Sequence, residues 1–185
     1  VKLTIPSIVK EELTIDGRSP SNLVWRVDKG PRAQKGSRAG CLNKKTGYYY
    51  VRIDNKLYLA HRLIWYIFYG EDPGELQIDH VDRNRTNNDI KNLRKATQTQ
   101  QNQNSSKKRN NKSGYKGVRR HTKGKWHAYI KINEKQVSLG YYNKKEEAAN
   151  AYNEAAKKYF GEFANLNVIQ HTHFRFPERN PNQLE

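Results

Sequence analysis

From Gln103 to Ser113 the chain is almost wholly polar, built of Gln, Asn, Ser, Lys and Arg. A run of this composition predicts a linker, with packing on either side of it. This sets the expected organisation: a first domain over 1–102, a basic polar linker over 103–113, a second domain over 114–164, and a tail of little periodicity over 165–185. Hydrophobic residues make up 35% of the 185, so each core must be modest. Aromatics at 11%, with twelve Tyr and three Trp, still argue for folded structure. The formal net charge is +17. A single-sign field of that size points to a polyanionic partner.

Other classes are excluded. No apolar run approaches the roughly 20 residues that span a bilayer. No signal-peptide pattern is visible, and Val1 in place of an initiator Met leaves a processed start open. The single cysteine, Cys41, rules out an internal disulfide framework and any multi-cysteine zinc finger, and its expected role is a small buried residue.

Residues 1–22 carry Pro6, Gly17 and Pro20 and predict short strands or weak order. Leu23 to Val27 is β-prone, and the Gly-rich, basic stretch 29–45 predicts a loop. Tyr48 to Ile53 and Lys56 to Leu59, joined by Asp54-Asn55, predict a tight hairpin. Its tyrosines are expected to pack within the sheet, a DNA-facing role being the alternative. Ala60 to Tyr69 has helical spacing, with His61, Ile64, Trp65 and Phe68 as one apolar stripe and Gly70 and Pro73 as its stop.

Leu76 to Val81 reads as a short strand ending in Asp79-His80, and 82–88 as a loop without apolar residues. A turn or single helical turn over Asn88 to Leu93 precedes a second strand up to Ala96. Thr97 and Gln100 have capping-box spacing, so a helix is expected to begin at Gln98. An Asp-His pair alone names no reaction, although its two groups could serve phosphodiester hydrolysis. The neutral ring can take a proton from water near pH 7. A divalent cation on the carboxylate offsets charge on the phosphate.

Asp79-His80, the polar loop with Asn87-Asn88, Asn92-Leu93-Arg94 and the amide-rich helix start together resemble the ββα-metal (HNH) nuclease motif. The resemblance implies Asp79 as ligand of one divalent cation, Mg or Mn, His80 as general base and Asn92 as loop anchor. His61-Arg62-Leu63 resembles the segment that precedes this core in phage-type members, which makes His61 a support for the site. The last ligand is expected about 22 residues after the Asp, at Gln101. Three readings stay open there: Gln101 is a natural ligand, Asn102 or Asn104 serves by a register shift, or position 101 carries an engineered inactivating change.

From Ser105 to Lys135 there are eleven Lys or Arg against one acid, Glu134. Gly114 to His121, Lys125 to Ile132 and Gln136 to Tyr142 predict three strands, with Gly124 and Asn133 at the turns. A helix is expected from about Lys144 to Phe160, capped by Asn143 and Glu146 and stopped by Gly161. Its apolar stripe is Ala148, Ala151, Tyr152, Ala155 and Tyr159. Placing Arg119, Lys125, Trp126 and Lys131 near the sheet's open face makes a ribbon able to enter a major groove, although Trp126 is expected to sit in the core. Tyr-Lys-Gly-Val-Arg, Gly-Lys-Trp, Leu-Gly-Tyr-Tyr and Glu-Glu-Ala-Ala-Asn-Ala-Tyr-Asn resemble the AP2 DNA-binding domain. The resemblance implies DNA-facing roles for Lys116, Arg119, His121, Lys123, Lys131, Gln136 and Ser138. In the tail, His171 and His173 are read as part of a solvated segment.

The expected fold is α+β: a ββα-metal domain followed by a three-stranded antiparallel sheet with one packed helix. The resemblances imply a homing-type DNA endonuclease of phage kind acting on double-stranded DNA, without a membrane, as a monomer by default, inside the cytoplasm of a bacterial or phage-infected cell. A regulator with a degenerate nuclease core is the alternative, and an RNA-binding protein the third.

Overall fold

A computed structural model describes residues 4–169. The fold is α+β, with four small antiparallel sheets among the described residues. Two compact units divide the described residues: 4–106 together with 160–165, and 107–159 together with 166–169.

The first unit opens with a one-turn helix α1 (Val9–Glu12) that runs into β1 (Leu13–Ile15), paired with β2 (Leu23–Trp25). The basic stretch expected as a loop contains a short strand, β3 (Cys41–Asn43), because its backbone pairs with the start of β4 (Tyr48–Ile53). Cys41 is exposed on this edge strand rather than buried. β4 turns into β5 (Lys56–Leu59) through Asp54 and Asn55, at φ 45° and 60°. Two successive positive-φ residues define the hairpin turn whose twist matches the strands, and short Asx side chains tolerate it.

Helix α2 (Ala60–Tyr69) ends at Gly70, whose φ of 79° accepts the left-handed cap that a side chain would resist. Ala60, Leu63, Ile64 and Trp65 enter the core with Val9, Leu13, Leu23, Val51 and Ile53. Phe68 leaves the expected stripe: on the last turn of the helix it is 57% exposed, in edge-on contact with Tyr69. Next come β6 (Gln77–His80), a 3-10 turn (Ile90–Asn92), β7 (Leu93–Ala96) and α3 (Gln98–Asn104). Both halves of the capping box form: Thr97 accepts from the Gln100 amide, and the Gln100 side chain accepts from the Thr97 amide. A cap of this kind stabilises by about 1 kcal/mol, which matters for a helix of seven mostly amide residues.

In the second unit β8 (Val118–Arg120), β9 (Trp126–Ile132) and β10 (Lys135–Tyr142) form a sheet in the order β10-β9-β8, packed on α4 (Lys145–Phe160). Ala148, Ala149 and Ala156 are fully buried, so the helix approaches closely. The approach requires Gly117: at φ 72°, an added Cβ would fall 2.0 Å from the Tyr152 ring and 2.6 Å from the Tyr129 carbonyl oxygen. Trp126 is half-buried against this alanine core. The helix starts one residue later than expected, so Glu147 and not Glu146 accepts the Lys144 amide, at 3.4 Å. Tyr159 is 50% exposed instead of packed; Ala151 packs against the core as a partly buried residue, and Ala149 and Ala156 join the buried face. His171 and His173 lie outside the described residues.

Candidate active site and sheet surface

The register of β6 and β7 sets Asp79 opposite Arg94 and His80 opposite Leu93. His80 and Asp79 are 4% and 6% exposed. The His80 ring is held by a residue the sequence reading did not single out for a role. Its Nε2 lies 3.0 Å from Oδ1 of Asn88, itself only 1% exposed. The Asn88 amide has one orientation, since Nδ2 donates to the Ser21 carbonyl at 3.2 Å. Oδ1 must therefore accept, so His80 Nε2 carries the proton and Nδ1 keeps a lone pair. Burial lowers the His80 pKa from its ordinary value; the Asn88 bond and the Asp82 and Asp79 charges offset part of that, and Arg85 adds to the lowering. The ring is neutral at pH 7.

His61, from α2, meets this ring edge-on at 5.0 Å. Burial, helped by His80 and Arg62, lowers its pKa to about 3, so it stays uncharged. Tyr48 closes a third side, 5.2 Å from His61 and 6.0 Å from His80. Arg62 fastens the approach to β6, donating to the carbonyls of Leu76 and Gly74 and to Asp72.

Asn92 ties the loop between the strands. Its Oδ1 accepts from the Asp82 amide at 3.0 Å, and its Nδ2 donates to Asp82 Oδ1 and the Asn87 carbonyl. Burial raises the Asp82 pKa, but hydrogen bonds from Asn87, Asn84 and Asn92 and the nearby His80 outweigh it, leaving the carboxyl below its usual value.

The structure does not bring Gln101 to Asp79. One turn further along α3, Asn104 is there: Nδ2 donates to Asp79 Oδ2 at 2.8 Å and to the His80 carbonyl at 3.0 Å. Asn104 is 5% exposed. Asn102 is exposed and accepts from Gln98. Arg94 completes the set, with Nε and Nη2 at 3.2 and 3.1 Å from Asp79 Oδ2. Its guanidinium lies 3.8 Å over the Phe163 ring and donates to the Glu162 carbonyl at 2.8 Å. Asn165 donates to the Ser105 carbonyl and accepts from Arg83. Residues 160–165 thus brace this site from far along the chain, and no local signal announces it.

Among the described residues no three His, Cys, Asp or Glu side chains gather into a metal site. The donors from Arg94 and Asn104 converge on Asp79 Oδ2. Asp79 Oδ1 and the Asn104 side-chain oxygen, on neighbouring groups, are the hard oxygen type that a divalent ion such as Mg²⁺ would take.

In the second unit Arg119, Lys131, Gln136 and Ser138 share the sheet face away from α4 with His127, Tyr129 and Tyr141. His121 stacks edge-on against Tyr141 at 4.7 Å. Lys123 and Lys125 are exposed at the β8–β9 turn. Lys116 sits before β8, its backbone bonded both ways to Asn167. His127 organises the face. Arg119 Nε donates to its Nδ1 at 3.1 Å, so Nε2 carries the proton and meets Ser138 Oγ at 2.9 Å. Burial first, then Arg119 and His121, lower its pKa.

A short strand pair with Asp-His at the end of one strand, closed by a helix bearing an amide, is a ββα arrangement; a three-stranded sheet on one helix forms a separate unit. Residues 58–103 match the family model for HNH endonucleases, and residues 113–162 match the AP2 domain. The chain is 36% identical over 110 residues to an uncharacterized HNH endonuclease of Acanthamoeba polyphaga mimivirus, a match covering 59% of this chain and 57% of that protein. It thus spans little more than half the length of this relative. No solved structure matches it. Two successive segments of the chain thus match known families, HNH endonucleases first and the AP2 domain second. Among the described residues no helix is long and apolar enough to cross a membrane.

Proposed function

We propose that the chain is a homing-type DNA endonuclease that hydrolyses one phosphodiester of double-stranded DNA, with its AP2 sheet supplying much of the grip. The observation that carries this reading is the oriented His80 ring. Asn88, pinned by Ser21, holds the proton on Nε2, so Nδ1 is free to take one from water. Asp79 and Asn104 hold one divalent ion, Mg²⁺ or Mn²⁺, and Asn92 keeps the loop closed. When bound, that ion neutralises charge on the phosphate and eases departure of the 3′ oxygen. His61 and Tyr48 shield the ring without charge of their own. One site per chain makes nicking by a monomer the default.

Arg94 favours a second reading. Its guanidinium already pairs with Asp79, a resident cation next to the ligand oxygens, as suits a DNA-binding regulator whose nuclease core is degenerate. Plasmid nicking with Mg²⁺ or Mn²⁺ separates the two. The endonuclease reading expects nicked plasmid from the unaltered chain and about 10²- to 10⁴-fold slower nicking from His80→Ala. Intact plasmid from the unaltered chain and from Gln101→Asn, with duplex still bound, establishes the regulator.

A further inference from the structure

Strand β4 does more than pack. Val51 and Ile53 are buried in the core, while Tyr48, Tyr50 and Arg52 occupy the opposite face of the same strand. The register puts Cys41 beside Tyr50 and Leu57 beside Arg52 on that outer face. With residues 29–40 it forms a groove of ≈ 930 Å³, lined among others by Lys29, Arg32, Arg38, Tyr50, Arg52 and Leu57. Asp54 is the one carboxylate in the lining. Lys29 is paired with Glu12, whereas Arg32, Arg38 and Arg52 are exposed and make no ion pair among the described residues.

We propose that this groove is a second DNA contact, holding the phosphate backbone of the duplex arm that leads away from the cut. The assignment rests on His80 marking the cut. Open, spaced cations beside a half-buried tyrosine suit an extended polyanion, not a small anion, which needs convergent buried donors. The strand itself gives the direction. Tyr48 touches the His61–His80 cluster, and Tyr50 and Arg52 follow at i+2 and i+4, roughly 7 and 13 Å further along an extended strand. That length matches about four steps of the duplex axis. Arg38 and Arg52 meet phosphates, and Tyr50 and Leu57 cover the sugar edge.

Cys41 is the only cysteine in the chain and is exposed in the groove wall, so it reports occupancy without any substitution. Maleimide labelling of the full chain is followed with and without a random-sequence duplex. Loss of labelling when the duplex saturates the protein is the expected result, and an unchanged rate overturns the proposal. The double variant Arg38→Gln/Arg52→Gln is expected to lower the slope of log affinity against log salt by about 1.8, two phosphates at about 0.9 each. Lys10→Gln/Arg18→Gln removes the same charge from exposed sites off the groove and is expected to keep the slope; equal losses in both overturn a specific groove. Arg52→Lys restores one phosphate contact and checks folding. Tighter binding of single-stranded RNA than of duplex, with the same protection of Cys41, overturns the DNA assignment. None of these readouts needs cutting. Protected Cys41 beside an intact plasmid defeats the nuclease reading alone, and nicked plasmid beside freely labelled Cys41 defeats the groove alone.

Discussion

His80 and His127 are both 4% exposed, and both have pKa values pulled down chiefly by burial. Their surroundings assign them opposite work. His80 has one nitrogen bonded, to Asn88, and the other left with its lone pair. His127 has both nitrogens engaged, one by Arg119 and one with Ser138. Burial alone therefore does not separate the imidazole proposed as the base from the one that acts as an internal brace. The number of nitrogens the fold leaves unengaged does. The first unit spends its buried polar groups on aiming a ring; the second uses its buried ring to fix the side chains around it.

The sharpest way to break this contrast is to remove each ring. His80→Ala is expected to cost about 10²–10⁴-fold in nicking, the range for a general base, with duplex affinity within a few fold. His127→Ala is expected to leave nicking at saturating duplex unchanged. Equal losses of nicking in the two variants would erase the distinction. Next in size is the group that aims His80. Asn88→Ala is expected to lower nicking by about 10²-fold through misorientation, without loss of metal binding. Asn88→Asp carries a sign that can be checked. The lowered pKa of His80 means that the base form persists down to a pH below the ordinary imidazole value of 6.5 and is lost only below that. A carboxylate at 88 favours the imidazolium, so the acid limb of the pH–rate profile moves to higher pH. An unmoved limb would mean that another group is the base.

Asn104 and Gln101 test the oxygen set. Mn²⁺ affinity, followed by paramagnetic resonance, is expected to fall about 10- to 100-fold in Asn104→Ala and to be unchanged in Gln101→Ala. In the second unit Gly117→Ala forces a methyl into the Tyr152 ring. A loss of about 1–3 kcal/mol in the thermal stability of that unit is expected, with the nicking site intact.

Local chemistry made much of this legible in the sequence. Asp54-Asn55, Gly70 and Thr97 with Gln100 each specify a backbone conformation within four residues, and all three appear as read. The Asp79-His80 strand and its partner were legible for the same reason. What escaped the sequence depends on distant partners. Asn88 is aimed by Ser21, 67 positions away, and Arg94 by Glu162, 68 positions away. Neither pairing leaves a periodic trace. Phe68 and Tyr159 had the right spacing but no facing layer, since periodicity reports a stripe and not what covers it. Counting from Asp79 leads to Gln101, whereas the packing of α3 against β6 brings in Asn104, one turn later.

The smallest expected effect separates charge from shape on the AP2 sheet. Lys131 is an exposed cation, and Lys131→Gln is expected to weaken duplex binding while reducing the salt slope by about 0.9. His127 is neutral, so His127→Ala removes no charge. It releases Arg119 Nε and Ser138 Oγ from fixed positions, worth about 1 kcal/mol, the net value of a hydrogen bond. Affinity should therefore fall a few fold with the slope unaltered. If the slope falls as well, His127 meets the duplex as a cation, and the view of it as an internal brace is wrong.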